Sequence, residues 1–140
     1  MIKDDLTLTG AVSIALNGQV VQEIPNLVVT AGKNWVADRM NNANTVMTHM
    51  AIGTSSTTAA VGQTTLVAET ARGALTSTNV SANVITYVET FAAGTGTAAL
   101  TEAGVFDAAS GGDMLCRTVF AVVNKGSADS MTITWSITVS

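Results

Sequence analysis

The side chains able to do chemistry in this chain of 140 residues are few and widely spaced. There is one histidine, His49, and one cysteine, Cys116. The strand-rich part of the chain includes the carboxylates Glu69, Glu89, Glu102, Asp107 and Asp113. Paired carboxylates can run acid–base hydrolysis or hold calcium, and a histidine beside serine and aspartate can activate a nucleophile. Neither pattern is complete here. His49 sits in the apolar run Val46-Met47-Thr48-His49-Met50, which suits a structural histidine. One histidine and one cysteine cannot build a zinc site without carboxylates, and no close ligand spacing occurs. Cys116, between Leu115 and Arg117 in a strand-like run, reads as a buried, inert thiol. Glu69 precedes Arg72 by three residues and Asp113 precedes Arg117 by four. In so sparsely charged a chain, these spacings predict ion pairs that fix strand or loop register.

The glycine motifs fail on inspection. Gly32-Lys33 resembles the end of a phosphate loop, but Asn34 follows where Ser or Thr is needed and Leu27 stands at the upstream glycine position. Gly94 and Gly96 lack the rest of a dinucleotide fingerprint, and Ser110-Gly111-Gly112 has Ala108 where a nucleophile elbow has glycine. The expectation is a protein with no catalytic residues, no metal and no cofactor, and not an enzyme.

The elements that carry these residues are mostly strands. Leu6, Leu8, Val12, Ile14 and Leu16 fall on even positions, a period of two. Asn17-Gly18 follows, a strong hairpin signal because both residues tolerate positive φ, and Pro25 stops the return strand. Residues 31–41 form the one expected helix, capped by Thr30, with Trp35, Val36 and Met40 on one stripe and Asn41-Asn42 ending it. Further strands are expected at 46–52, 71–78, 84–91, 99–106 and 114–123, each bounded by turn residues. In the last strand Met131, Ile133, Trp135, Ile137 and Val139 alternate with Thr132, Thr134, Ser136, Thr138 and Ser140. About eight strands and one helix predict a single all-β domain, a β-sandwich and within that class a jelly roll. The low-complexity stretch 53–65 reads as a solvated connection, or else as an arm ordered against a neighbouring subunit.

Composition narrows the function classes. Charged residues are 11% of the chain against about 25% in ordinary soluble domains, while hydrophobic residues reach 47%. The exterior must therefore be largely Ser, Thr, Asn, Gly and Ala. Such a surface gives up few hydrated charges when a partner covers it. A net charge of −4 and six scattered basic residues make no phosphate-neutralising patch, so nucleic acid is not expected as a partner. The opening Met1-Ile2-Lys3-Asp4-Asp5 places two acids where a signal peptide needs an apolar run, and no stretch approaches the ~20 apolar residues of a membrane helix. Synthesis in a cytoplasm, without anchoring to a lipid bilayer, is the expectation.

The second half carries a characteristic texture. It opens with Met50-Ala51-Ile52-Gly53-Thr54 and Thr65-Leu66-Val67-Ala68-Glu69-Thr70-Ala71-Arg72. Thr101-Glu102-Ala103-Gly104-Val105-Phe106, Gly112-Asp113-Met114-Leu115-Cys116-Arg117 and Ile133-Thr134-Trp135 continue it. Over roughly residues 27–140 the chain resembles small structural proteins of tailed bacteriophage virions, among them capsid decoration (cement) proteins and tail-fibre-associated proteins. The resemblance implies a location on the outer surface of the capsid, the major capsid protein as partner, and self-association as a homodimer or other symmetric oligomer. A fibre, collar or tip protein of the tail is the neighbouring reading. A carbohydrate-binding module would need free aromatics, for which Trp35 and Tyr87 are the candidates. The N-terminal residues Met1, Ile2, Lys3, Asp4 and Asp5 are the expected partner contact, because they precede the first strand and can reach a neighbour.

Overall fold

Asn17 and Gly18 adopt φ of 50° and 81°, and the chain reverses on these two residues alone. They join β1 (Leu8–Leu16) to β2 (Gln19–Pro25), with Leu16 opposite Gln19. Positive φ at both turn positions matches the twist of the flanking strands. Asn17 has a second task. Its side chain donates to Asp129 Oδ1 at 2.9 Å and accepts from the Ser130 backbone N–H at 3.0 Å, tying the turn to a distant loop.

The computed structural model describes residues 4–41 and 45–140. After β2 come β3 (Leu27–Val28), α1 (Thr30–Met40), β4 (His49–Gly53), β5 (Glu69–Ala74) and β6 (Ser77–Ser81). The chain then continues through β7 (Val84–Phe91), β8 (Ala98–Phe106), β9 (Met114–Lys125) and β10 (Met131–Val139). These strands form two antiparallel five-stranded sheets: sheet A, in the order β2-β1-β10-β7-β6, and sheet B, in the order β3-β9-β8-β4-β5. The domain is an all-β sandwich with one short helix. Its strand order combines local hairpins with long-range pairings. The β1–β10 and β3–β9 pairings link early and late strands, but β1–β2, β4–β5, β6–β7 and β8–β9 are each neighbours in both sequence and sheet. In a strict jelly roll, successive strands mostly alternate between sheets.

The core lies between the sheets. Trp135 is completely buried together with Ile14, Met50, Ile52, Leu100, Val105, Met131 and Ile133. The alternation of β10 therefore places its apolar face inward, as the sequence predicts. A smaller cluster of Val29, Ala51, Leu66, Phe106 and Met114 forms a second core.

Several boundaries differ from the sequence reading. The expected strand at 71–78 is two strands in different sheets. Leu75 N–H donates to Thr48 O and Thr76 N–H to Val88 O, so the chain leaves sheet B and joins sheet A between Ala74 and Ser77. Such corners are the normal way for one strand run to serve two sheets. The strand expected from residue 46 begins at His49. The helix starts at Thr30 with Val29 at its N-cap, where no side chain caps it; the Thr30 N–H is bound instead by Val61 O at 2.8 Å. Met40 lies outside the expected helix stripe and is 86% exposed. Gly32 is required at its position because a Cβ there would strike the Leu115 carbonyl of β9. The apparent phosphate-loop glycine is thus a helix–sheet packing glycine.

Candidate interaction surface

The two outer faces of the sandwich are treated differently by the rest of the chain. Over sheet B lie α1, which packs on β9, and residues 54–68, which cross the face as a strap between β4 and β5. The strap is fixed by a buried ion pair. Arg117 donates to Glu102 Oε1 from Nε at 3.2 Å and from Nη2 at 3.0 Å, with both side chains fully buried. Glu102 then accepts three backbone N–H groups of the strap: Val67 at 2.9 Å, Ala68 at 2.7 Å and Ser55 at 3.1 Å. Arg117 Nη1 reaches Thr57 O at 2.9 Å and Gln63 Oε1 at 3.1 Å. Leu66 enters the second core beneath. Without Glu102 the part-buried N–H groups of Ser55, Val67 and Ala68 would lose their acceptor, which is costly.

The 53–65 stretch is a largely exposed connection that these contacts anchor to its own sheet. One expectation is corrected. Arg117 pairs with Glu102 rather than with Asp113. The irregular pairing between Leu100 and Glu102 explains the change, because it resets the alternation of β8. Leu100, Ala103 and Val105 join the main core, while Glu102 meets the strap. The predicted Glu69–Arg72 pair is present, with Arg72 Nη2 donating to Glu69 Oε1 at 2.7 Å and Nε to Oε2 at 3.0 Å. Arg72 also donates to Ala108 O and Gly111 O and stacks 3.8 Å above the Phe106 ring, so it fixes the 107–113 turn as well.

Among the described residues, the outer face of sheet A carries no such cover. Its rows can be read from the register. One runs Glu23, Ser13, Thr134, Val88, Ser77; the next runs Pro25, Ala11, Ser136, Thr86, Asn79; a third runs Thr9, Thr138, Val84, Ser81. A fourth includes Val20, Ala15, Thr132 and Thr90. Within these rows Glu23 is the sole charged residue. Hydroxyls bridge strands, with Thr90 Oγ1 2.9 Å from Thr132 Oγ1 and Thr86 Oγ1 3.3 Å from Ser136 Oγ. A depression of about 510 Å³ between β2, β1 and β10 is lined in part by Ala11, Ser13, Glu23, Pro25, Thr134 and Ser136. The result is an open, nearly uncharged, hydroxylated surface held rigid by five strands.

The expected N-terminal contact is only partly placed. Met1, Ile2 and Lys3 lie outside the described residues; Asp4 and Asp5 are exposed. The chain behind them is anchored, because Thr7 and Ser140 exchange backbone hydrogen bonds at 2.6 and 2.9 Å, extending sheet A. His49 is half-buried with Nδ1 2.8 Å from Thr48 Oγ1. Cys116 is fully buried, and desolvation pushes its thiol far above the ordinary range. Tyr87 is not free: it is 3% exposed in the main core, with its hydroxyl pushed up by the same cause. Trp35 is half-buried and donates its Nε1 to Thr45 O at 2.8 Å. Of the two aromatics a sugar could stack on, Tyr87 thus lies in the core and Trp35 is half-buried. Among the described residues, no group of three or more His, Cys, Asp or Glu is placed to hold a metal ion.

Compared with known proteins, the chain matches no family model, no curated protein and no solved structure.

Proposed function

We propose that this chain is a structural subunit of a bacteriophage particle, a decoration protein that docks on the outside of the assembled head and bridges its major capsid subunits. The observation that carries this reading is the contrast between the two faces. Sheet B is closed by its own helix and strap, whereas sheet A presents a broad hydroxylated surface whose rows hold one charge, Glu23. Burying such a surface requires little removal of hydrated charge, and rigid strands add little ordering cost on binding. A subunit that binds only the assembled shell stabilises it by mass action. Resistance to the pressure of packaged DNA is the benefit that the resemblance to virion proteins implies.

The test is co-sedimentation of the purified chain with heads that lack it. Binding should saturate at a symmetric number of sites and change little between low and high salt, because few ion pairs contribute. Thr134→Lys together with Ser136→Lys, at the centre of the sheet A face, should abolish it, while Val61→Lys on the exposed strap should not. Retention of binding by the double variant would show that sheet A is not the docking face.

A further inference from the structure

A β-sandwich has four sheet edges, and three of these are protected here. The β2 edge has Glu23, Pro25 and an irregular register after Ile14, and Gln22 ties it across to Ala121 O at 2.6 Å. The β3 edge is two residues long and leads directly into α1, and the β9 stretch that continues this edge is broken by the register shift opposite Leu100 and Glu102 and ends at Lys125. The β5 edge carries the Glu69–Arg72 ion pair and a register shift at Ile52/Gly53. Charge, proline, bulges and short length are the usual devices that keep edge strands from pairing with other chains. The β6 edge, though short, has no charge, proline or bulge. Its five residues, Ser77, Thr78, Asn79, Val80 and Ser81, pair with β7 in unbroken register, and all five are exposed. Val80 is an apolar residue left 68% exposed.

We infer that β6 pairs antiparallel with β6 of a second copy, about a two-fold axis at Asn79. The strand is self-complementary in that register. Ser77 meets Ser81 of the second copy, Thr78 meets Val80, and Asn79 meets its own equivalent, whose amide can both donate and accept. Thr78 opposite Val80 is a β-branched pair of the kind that favours sheet formation, and it covers the exposed valine. No charged side chain lies in the strand, so the symmetric contact brings no like charges together. The remaining backbone N–H and C=O groups of β6 gain partners across the axis.

The consequence is a continuous ten-stranded sheet in which two hydroxylated outer faces join. This deepens the proposed docking function, which rests on that face, by doubling its extent and giving it two-fold symmetry. A contact of one five-residue strand falls below the roughly 1,200 Å² of a standard stable interface, so association in solution is concentration-dependent.

Two measurements on the purified chain test this, with no particle present, so that their failure is separate from failure of head binding. In sedimentation equilibrium the average mass should climb from one chain towards two as concentration is raised to about millimolar, the range expected for weak encounters. Val80→Lys should weaken this association by about tenfold or more, while Val20→Lys on the protected β2 edge should leave it unchanged. Asn79→Cys should form a covalent dimer on mild oxidation, because the axis places the two thiols face to face, and the buried Cys116 should not interfere. A chain that stays monomeric throughout, or an Asn79→Cys variant that cross-links no faster than Val20→Cys, would overturn the proposal.

Discussion

Glu102 and Arg117 lie on neighbouring strands, fully buried, and together bind five polar groups of a strap that is remote from both in sequence. A buried ion pair is ordinarily weak evidence for stability, since an apolar pair of similar volume often serves as well. This pair differs because the backbone depends on it. Arg117→Met should destabilise the domain by about 3–5 kcal/mol, the cost of leaving one buried charge without its partner. The double variant Glu102→Met, Arg117→Met should not recover that loss, because the N–H groups of Ser55, Val67 and Ala68 lose their acceptor. Urea denaturation measures both, and protease cleavage within 54–68 should accelerate in step.

Trp135 supports the main core from the centre of sheet A. Trp135→Ala should cost about 3–5 kcal/mol, as large core truncations do. A change below about 1 kcal/mol in thermal or urea unfolding would mean that the indole contributes little packing.

Gly32 and Gly62 form a matched pair for testing helix packing. Gly32→Ala drives a methyl into the Leu115 carbonyl, so α1 must shift away from β9 at a cost of about 1–3 kcal/mol. Nothing lies within 4 Å of the position where a Cβ at Gly62 would stand. Gly62→Ala should stay within about 0.5 kcal/mol of the parent.

Much of this architecture is legible in the sequence, and the illegible parts share a cause. The β1–β2 hairpin, the faces of β10 and the Glu69–Arg72 pair follow from neighbours a few residues apart, where turn chemistry and a period of two suffice. A period of two does not say which sheet a strand joins, so the corner at Leu75 and Thr76 is hidden inside one apparently continuous run. The strap is hidden for a related reason. Its low-complexity residues give no sign of anchoring because their partners, Glu102 and Arg117, lie 34 to 60 positions away. The irregularity beside Thr101, which turns Glu102 towards the strap, carries no glycine or proline to mark it. The sheet A face was legible as composition, but its open position depends on what covers sheet B.

Asp129 provides a pH-dependent reporter of the hairpin tie. The Asn17 amide, the Gly126 N–H and the nearby Lys125 charge hold its carboxyl below the ordinary aspartate value of 3.8, with the Asn17 bond the largest cause. A depressed folded-state value stabilises the fold above the unfolded pKa, and that contribution disappears as pH falls through the folded one. NMR titration of Asp129 should therefore give a midpoint below that of a free aspartate. Asn17→Gly, which keeps the positive φ and removes the amide, should raise the midpoint towards it.

Copy number in the particle tests the central claim most directly. If the proposed function holds, quantitative mass spectrometry of purified phage particles should find the chain in amounts comparable to the major capsid protein, and a reconstruction should place it with the icosahedral symmetry of the head. Its sheet A face should meet adjacent capsid subunits. Absence from purified particles, or a handful of copies at one vertex with threefold or sixfold symmetry, would contradict the account.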